Sequence, residues 1–272
     1  MVRDLYMFSK VDSNAKVVWF KIEYQNTLRS EADITSFLAD KEMDIRFAYL
    51  DSSEDPSKGK YVVFTEVDKD RELESIVEEL KQMDVVLSVD YGISKNRVMQ
   101  SVEFPLNILG ERATILRAKT FVNILKIIHE NTPQAEGLLM LTGIRSGSEA
   151  VRYLQEITDV TKDNCMDLLN EFFMAAGWGI LECEIDCETL VGTVKVKDSF
   201  IAEAYGDNEM PVCGYMSGFF AGFISTVNGK NVQVHESYCM SMGAEVCEHL
   251  VAPTPETTEK VQIEHVMRGE IN

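Results

Sequence analysis

The chain has 272 residues, enough for two domains with a core each, and its 45% hydrophobic and 26% charged residues are those of a globular protein. Its formal net charge of −19 opposes phosphate backbones, and no helix-turn-helix, zinc finger or basic stripe offsets it, so nucleic-acid binding is not expected. No apolar run approaches the ~20 residues of a bilayer span and Met1–Lys10 lacks the apolar core of a signal peptide, so the expected location is the cytoplasm, where six cysteines are metal ligands, reactive thiols or small core residues more readily than disulfides.

Residues Ala15 to Ile93 read as strand, helix, strand, strand, helix, strand. Along Val17 to Tyr24 the alternation of Val18, Phe20, Ile22 and Tyr24 predicts a strand with one apolar face. Ile34, Phe37 and Leu38 mark a short helix, followed by strands at Asp44–Leu50 and Tyr61–Val67 on either side of the turn-rich stretch Asp51 to Lys60. The best-marked helix carries Leu73, Ile76, Val77, Leu80 and Met83 on one stripe, and a last strand runs from Val85 to Tyr91. This order predicts a ferredoxin-like βαββαβ domain, a four-stranded antiparallel sheet with both helices on one face, over residues 1–95. In element order it resembles the ACT family of regulatory domains, which often bind amino acids. The loop Gln25–Ser30 has no glycine where those domains usually place one. An effector-binding domain and a plain pairing domain both remain open.

Ser94 to Glu103 reads as the connector to a second domain, 103–252, ahead of a polar tail, 253–272. The second domain opens with a helix whose stripe is Phe121, Ile124, Leu125 and Ile128, closed by Asn131-Thr132-Pro133. Further helices are expected from near Ser148 and over Lys162 to Ala176, where Gly177-Trp178-Gly179 stops the chain. Ile180–Cys187, Leu190–Lys197 and Phe200–Tyr205 read as strands. Pro211 starts a helix bearing Tyr215, Gly218, Phe219, Gly222 and Phe223, and short strands follow at Val232–Ser237 and Ala244–Val251.

Cys213, Glu236, Cys239 and Cys247 stand out as chemistry. Zinc takes four ligands in a tetrahedron and favours thiolates, and the last three of these residues lie on or beside a hairpin that folds them together. A metal there would tie the hairpin to the helix that Cys213 opens. Four protein ligands leave no open position, so Zn2+ at this site is expected to be structural and not catalytic. His235 and His249 flank the cluster, as alternative ligands or as partners of the ligands. Cys183 and Cys187 share a strand face with Leu181 and Ile185, spaced for core packing, and Cys165 sits on a helix stripe.

Cys213, the Phe219-Phe220-Ala221-Gly222-Phe223 helix and Glu236-x-x-Cys239-x-x-x-Gly243-x-x-x-Cys247 together resemble the 4-vinyl reductase (hydrocarbon-binding) domain family, which includes the sensor domains of phenol-responsive transcription activators. Phe104 to Arg112 and Leu138 to Gly147 are also similar to that family. The resemblance implies a zinc held by one glutamate and three cysteines, and the α/β fold shared with TRAPP vesicle-tethering subunits. It also implies homodimers, and a ligand enclosed between the aromatic helix and the sheet.

Phe172, Trp178, Tyr205, Tyr215, Phe219 and Phe223 are the candidate ligand-binding residues, interleaved with Gly177, Gly179, Gly218 and Gly222, which would leave room for a flat molecule. A run of Phe at helical spacing is also what plain core looks like. No catalytic triad, phosphate loop or dinucleotide fingerprint is present, so no enzyme is expected. The expected function is a regulatory or sensory protein that binds a small hydrophobic or aromatic molecule and acts through a protein partner. The alternatives are a substrate carrier for a tetrapyrrole reductase, as the family name suggests, and a dimeric scaffold with no ligand.

Overall fold

A computed structural model describes residues 14–52, 55–94, 106–108 and 111–255. The chain divides into two compact units, Met1–Leu106 and Asn107–Asn272. The connector over 95–105 and the tail from 256 onward lie outside the described residues, as do residues 53–54 of the turn-rich stretch.

In the first unit the order is β1 (Ala15–Gln25), α1 (Ser30–Asp40), β2 (Asp44–Asp51), β3 (Lys58–Asp68), α2 (Glu74–Lys81) and β4 (Val86–Ser94). The strands form one sheet in the order β2-β3-β1-β4, with every pair antiparallel. Val18, Phe20, Ile22 and Tyr24 point to one face, where Ile34 and Leu38 of α1 and Ile76, Val77 and Leu80 of α2 close a core. The intervening residues face the other way. There Val17, Val62 and Phe64 are buried in a second cluster with Trp19, Phe47 and Tyr49.

The second unit begins with a short ribbon, β5 (Asn107–Ile108) and β6 (Glu111–Arg112), and three helices, α3 (Ala118–Asn131), α4 (Ala135–Ile157) and α5 (Cys165–Ala176). After β7 (Ile180–Ile185) and β8 (Gly192–Lys197) come α6 (Phe200–Tyr205), α7 (Gly214–Asn228), β9 (Val232–Tyr238) and β10 (Cys247–Pro253). The antiparallel sheet runs β7-β8-β10-β9. Among the described residues no helix is long and apolar enough to cross a membrane.

Three elements differ from the sequence-based expectation. Phe200–Tyr205, expected as a strand, is a helix because the buried Ser199 hydroxyl caps it, accepting from the Ala202 N–H at 3.4 Å. Ser148 does not start a helix. It sits inside the continuous α4 and its hydroxyl donates across to the Gly222 carbonyl at 3.3 Å. The helix expected from Pro211 begins at Gly214, with Cys213 in the capping position.

α7 is the centre of this unit. Every residue from Met216 to Ile224 is buried, which a helix tolerates only when partners surround it. On one side α7 crosses α4 through glycines on both. A side chain at Gly218 or Gly222 would overlap the carbonyl oxygens of Met140 and Ile144, and one at Gly143 or Gly147 those of Tyr215 and Phe219. The space expected beside the rings at Gly218 and Gly222 is therefore filled by the α4 backbone. Gly218→Ala or Gly222→Ala is expected to lower stability by about 1–3 kcal/mol or more in denaturant titration, as overpacking does. Gly137→Ala, on α4 with open space around it, is expected to be neutral or to raise stability by up to about 1 kcal/mol.

Candidate metal centre and aromatic cluster

The hairpin that carries three of the four candidate ligands is irregular. A bulge between Glu248 and His249 shifts the β9–β10 register and turns Glu236 inward opposite His249. Beyond β9, Cys239 starts a single 3-10 turn, Met240–Met242, closed by Gly243 at φ 90, a left-handed conformation that suits glycine. The Cys239 carbonyl accepts from the N–H groups of Met242 at 3.0 Å and Ala244 at 3.3 Å, and the Met240 N–H donates to Cys247 Sγ at 3.4 Å. This knuckle brings Cys239 and Cys247 together beneath the first turn of α7.

One ligand atom from each of Cys213, Glu236, Cys239 and Cys247 lies within 4.8 Å of the others, and all four residues are buried. Cys247 Sγ is 3.8 Å from both Cys213 Sγ and Cys239 Sγ. With metal–sulfur bonds of about 2.3 Å, the edge of a tetrahedron is about 3.8 Å. Glu236 divides its carboxylate. Oε2 accepts from the Cys213 N–H at 2.8 Å, holding the start of α7, while Oε1 is buried without a partner. An orphaned oxygen beside three sulfurs at tetrahedral spacing is a donor set suited to a soft divalent ion.

The electrostatics agree. Burial and the neighbouring Cys239 raise the Glu236 carboxyl to about 8. Cys213 is held well above the ordinary thiol range by its contacts with Cys239 and Cys247 and by burial. At Cys247 the Cys213 contact acts downward, but Cys239 and burial outweigh it and push the thiol to about 12. Only Cys239 is lowered, because the thiols of Cys213 and Cys247 and the Ser241 hydroxyl point at it. Without a cation the pocket thus favours one negative charge, and a divalent ion would draw off the remaining protons.

Neither neighbouring histidine joins the four. His235 is exposed on the outward face of β9. His249 is fully buried, bonded through Nδ1 to Ser217 Oγ at 2.9 Å, and burial lowers it to about 3, so the ring is neutral. Cys165 and Cys183 pack in or against the core and Cys187 is exposed.

The candidate ligand-binding rings mostly converge. Phe219 stacks on Phe172 at 6.0 Å and on Phe223 at 6.5 Å, and meets Trp178 edge-on at 5.3 Å. Tyr215 is 6.1 Å from Trp178. Tyr205 lies elsewhere, against His129 at 6.3 Å and under the Lys126 ammonium at 4.5 Å. Phe121 and Phe200 were missed. They pack at 5.6 Å and reach Tyr215 and Trp178 at 5.8 Å each. Phe200 was hidden by reading its segment as a strand, whereas Phe121 stood on a recognised helix stripe. Phe121, Phe172, Trp178, Phe200 and Tyr215 are half-buried, forming a rim over the buried Phe173, Phe219 and Phe223.

The family model for the vinyl-4-reductase domain matches residues 193–253, the stretch that contains all four clustered metal-ligand candidates. The chain is similar to the phenol-responsive sensory domain of the transcription activator PoxR with phenol, at 19% identity over 59% of this chain and 84% of that one, TM-score 0.46. It is also similar to a vinyl-4-reductase family protein from Methanocaldococcus jannaschii, at 18% identity over 54% and 87%, TM-score 0.39. A third similarity is to trafficking protein particle complex subunit 3 from Naegleria fowleri covalently bound to palmitic acid, at 9% identity over 51% and 95%, TM-score 0.39. No curated protein matches the sequence.

Metal uptake should titrate in a defined direction. Below pH about 8 Glu236 keeps its proton in the metal-free pocket, so uptake of one divalent ion is expected to release protons into weak buffer, with affinity rising as pH rises. In metal-free protein a folded-state value raised from 4.5 to about 8 means stability is lost as pH climbs through that window. Denaturation at stepped pH should show this loss without metal and reverse it with metal.

Proposed function

We propose that this chain is a zinc-containing receptor for a small hydrophobic or aromatic molecule, acting as a regulatory or sensory protein through a protein partner. The observation that carries this is the joint use of α7: its first turn is held by the Cys213–Glu236–Cys239–Cys247 cluster, and its next turns hold Tyr215, Phe219 and Phe223 of the ring cluster. Zn2+ fits the three thiolates and one carboxylate, and with four protein ligands it would act as a clamp, not a catalyst. The family match over 193–253 supports this reading. The half-buried rim of Phe121, Phe172, Trp178, Phe200 and Tyr215 is the face at which a flat apolar molecule would enter.

In this reading residues 1–95 form a ferredoxin-like, ACT-like domain that pairs chains or takes a second effector, residues 103–252 form the receptor domain, the assembly is a homodimer, and its place is the cytoplasm. The filled space at Gly218 and Gly222 favours a second reading, a scaffold with a closed core and no ligand.

The test begins with metal analysis of protein purified without added metal, where one zinc per chain is expected. Cys239→Ser and Cys247→Ser should lose the zinc and destabilise the C-terminal unit by several kcal/mol; unchanged metal content and melting would refute the clamp. In a Trp19→Phe background, titration with the neutral fluorophore N-phenylnaphthylamine should quench Trp178. Tyr205→Phe should leave that titration unchanged, since Tyr205 stands apart from the rings. A flat titration would favour the scaffold.

A further inference from the structure

Ser199 is fully buried between the two features on which this reading rests. Its Oγ is 3.6 Å from Cys213 Sγ and 3.7 Å from Met216 Sδ, and it accepts from the Ala202 N–H at 3.4 Å. One hydroxyl therefore caps α6 and has a single hydrogen to give to one of two sulfurs. The next residue, Phe200, donates its N–H to the Trp178 carbonyl at 3.1 Å and packs its ring 5.8 Å from the indole. On the other arm, Tyr215 stands two residues past Cys213, 6.1 Å from the same indole. Trp178 is thus held by the residue that follows Ser199 and by the first turn of the helix that Cys213 opens.

A metal-bound cysteine is a thiolate, and a hydrogen bond to an ionised acceptor is stronger and shorter than one to a neutral group. A thioether is only a weak acceptor. With the ion in place the hydroxyl belongs on Cys213, and this outer hydrogen bond fixes the ligand and the α6 cap together. With the ion withdrawn, Met216 Sδ is an acceptor at nearly the same distance. The hydroxyl then has two arrangements, and the metal selects between them.

We propose that Ser199 is a positioning residue that relays metal occupancy to the aromatic site, so that metal and ligand bind with positive coupling. This rests on the ligand-binding reading above only for its second half; the effect of the metal on Trp178 does not require a ligand. Coupling between two sites is reciprocal, so the hydrophobic molecule would tighten the metal by the factor with which the metal tightens it.

The experiment uses full-length protein with Trp19→Phe, leaving Trp178 as the reporter. Adding Zn2+ to chelator-treated protein is expected to shift Trp178 emission, and N-phenylnaphthylamine should bind the zinc form about tenfold tighter, within the usual range of coupling. Ser199→Ala should still take one zinc but lose both the shift and the tenfold ratio, and Ser199→Thr should restore them. A ratio near one in the parent protein, or one kept in Ser199→Ala, overturns the relay. Should the probe bind neither form, the receptor reading fails, and the zinc-dependent Trp178 shift, kept or lost in Ser199→Ala, still decides the relay. Chelation can unfold the unit, so protein loaded with Co2+ gives a second readout. The probe should move the thiolate-to-cobalt charge-transfer band in the parent and leave it fixed in Ser199→Ala, and equal movement in both overturns the proposal.

Discussion

Four ionisable side chains sealed in a core, with one ligand atom each inside 4.8 Å, impose a condition that the rest of the second unit has to meet. Burial disfavours each charge, proximity disfavours two at once, and hydrogen bonds among the thiols leave the Glu236 Oε1 without a partner. Such a group is costly unless a cation completes it. Completion also has a mechanical result. The ligands come from the cap of α7, from β9, from the knuckle after β9 and from the start of β10, so one ion would cross-link segments that hydrogen bonds join only in part. Glu236 shows how closely the two roles are merged, since one oxygen serves the backbone of α7 and the other faces the sulfurs.

The second constraint is α7 itself. Buried throughout its middle, it satisfies each side differently: glycine against the α4 backbone, phenylalanine against α5 and Trp178, and Ser217 and Phe220 against His249 on the sheet. Glycines at four-residue spacing on both α4 and α7 let the two backbones approach within van der Waals contact, which sets the crossing and fixes the helix rotation. That rotation aims Phe219 and Phe223 at the ring cluster. A closed crossing on one side and a clamped terminus at the other leave the half-buried rim as the adjustable part.

Much of this was legible in the sequence where local chemistry decides. Strand alternation at Val18, Phe20, Ile22 and Tyr24, and the stripe through Leu73, Ile76, Val77 and Leu80, describe faces that the core then uses. The metal candidates were legible because zinc chemistry limits residue type and count, so a few cysteines and a glutamate near a hairpin suffice. What failed depended on partners far along the chain. The short apolar run Phe200–Tyr205 suits a strand or a helix, and a single capping hydroxyl at Ser199 decides. Gly218 and Gly222 read as space because the helix that fills it, with its own Gly143 and Gly147, lies far earlier in the chain. Tyr205 followed from the same error, since a helix in place of a strand carries it to Lys126 and His129.

The polar groups buried with this core bear on what it would accept. Among the described residues the buried polar side chains are serines, Thr65, Glu236 and a neutral His249, with no lysine or arginine among them. A carboxylate or phosphate carried into the ring cluster would meet no cation and would approach a pocket that already holds negative charge. A neutral apolar molecule loses little by leaving water and gains contact with the Phe172, Trp178 and Phe219 rings. Selectivity for uncharged molecules then follows from what surrounds the metal as much as from the rings: the same acidity that calls for a divalent ion in one place turns anions away in the other.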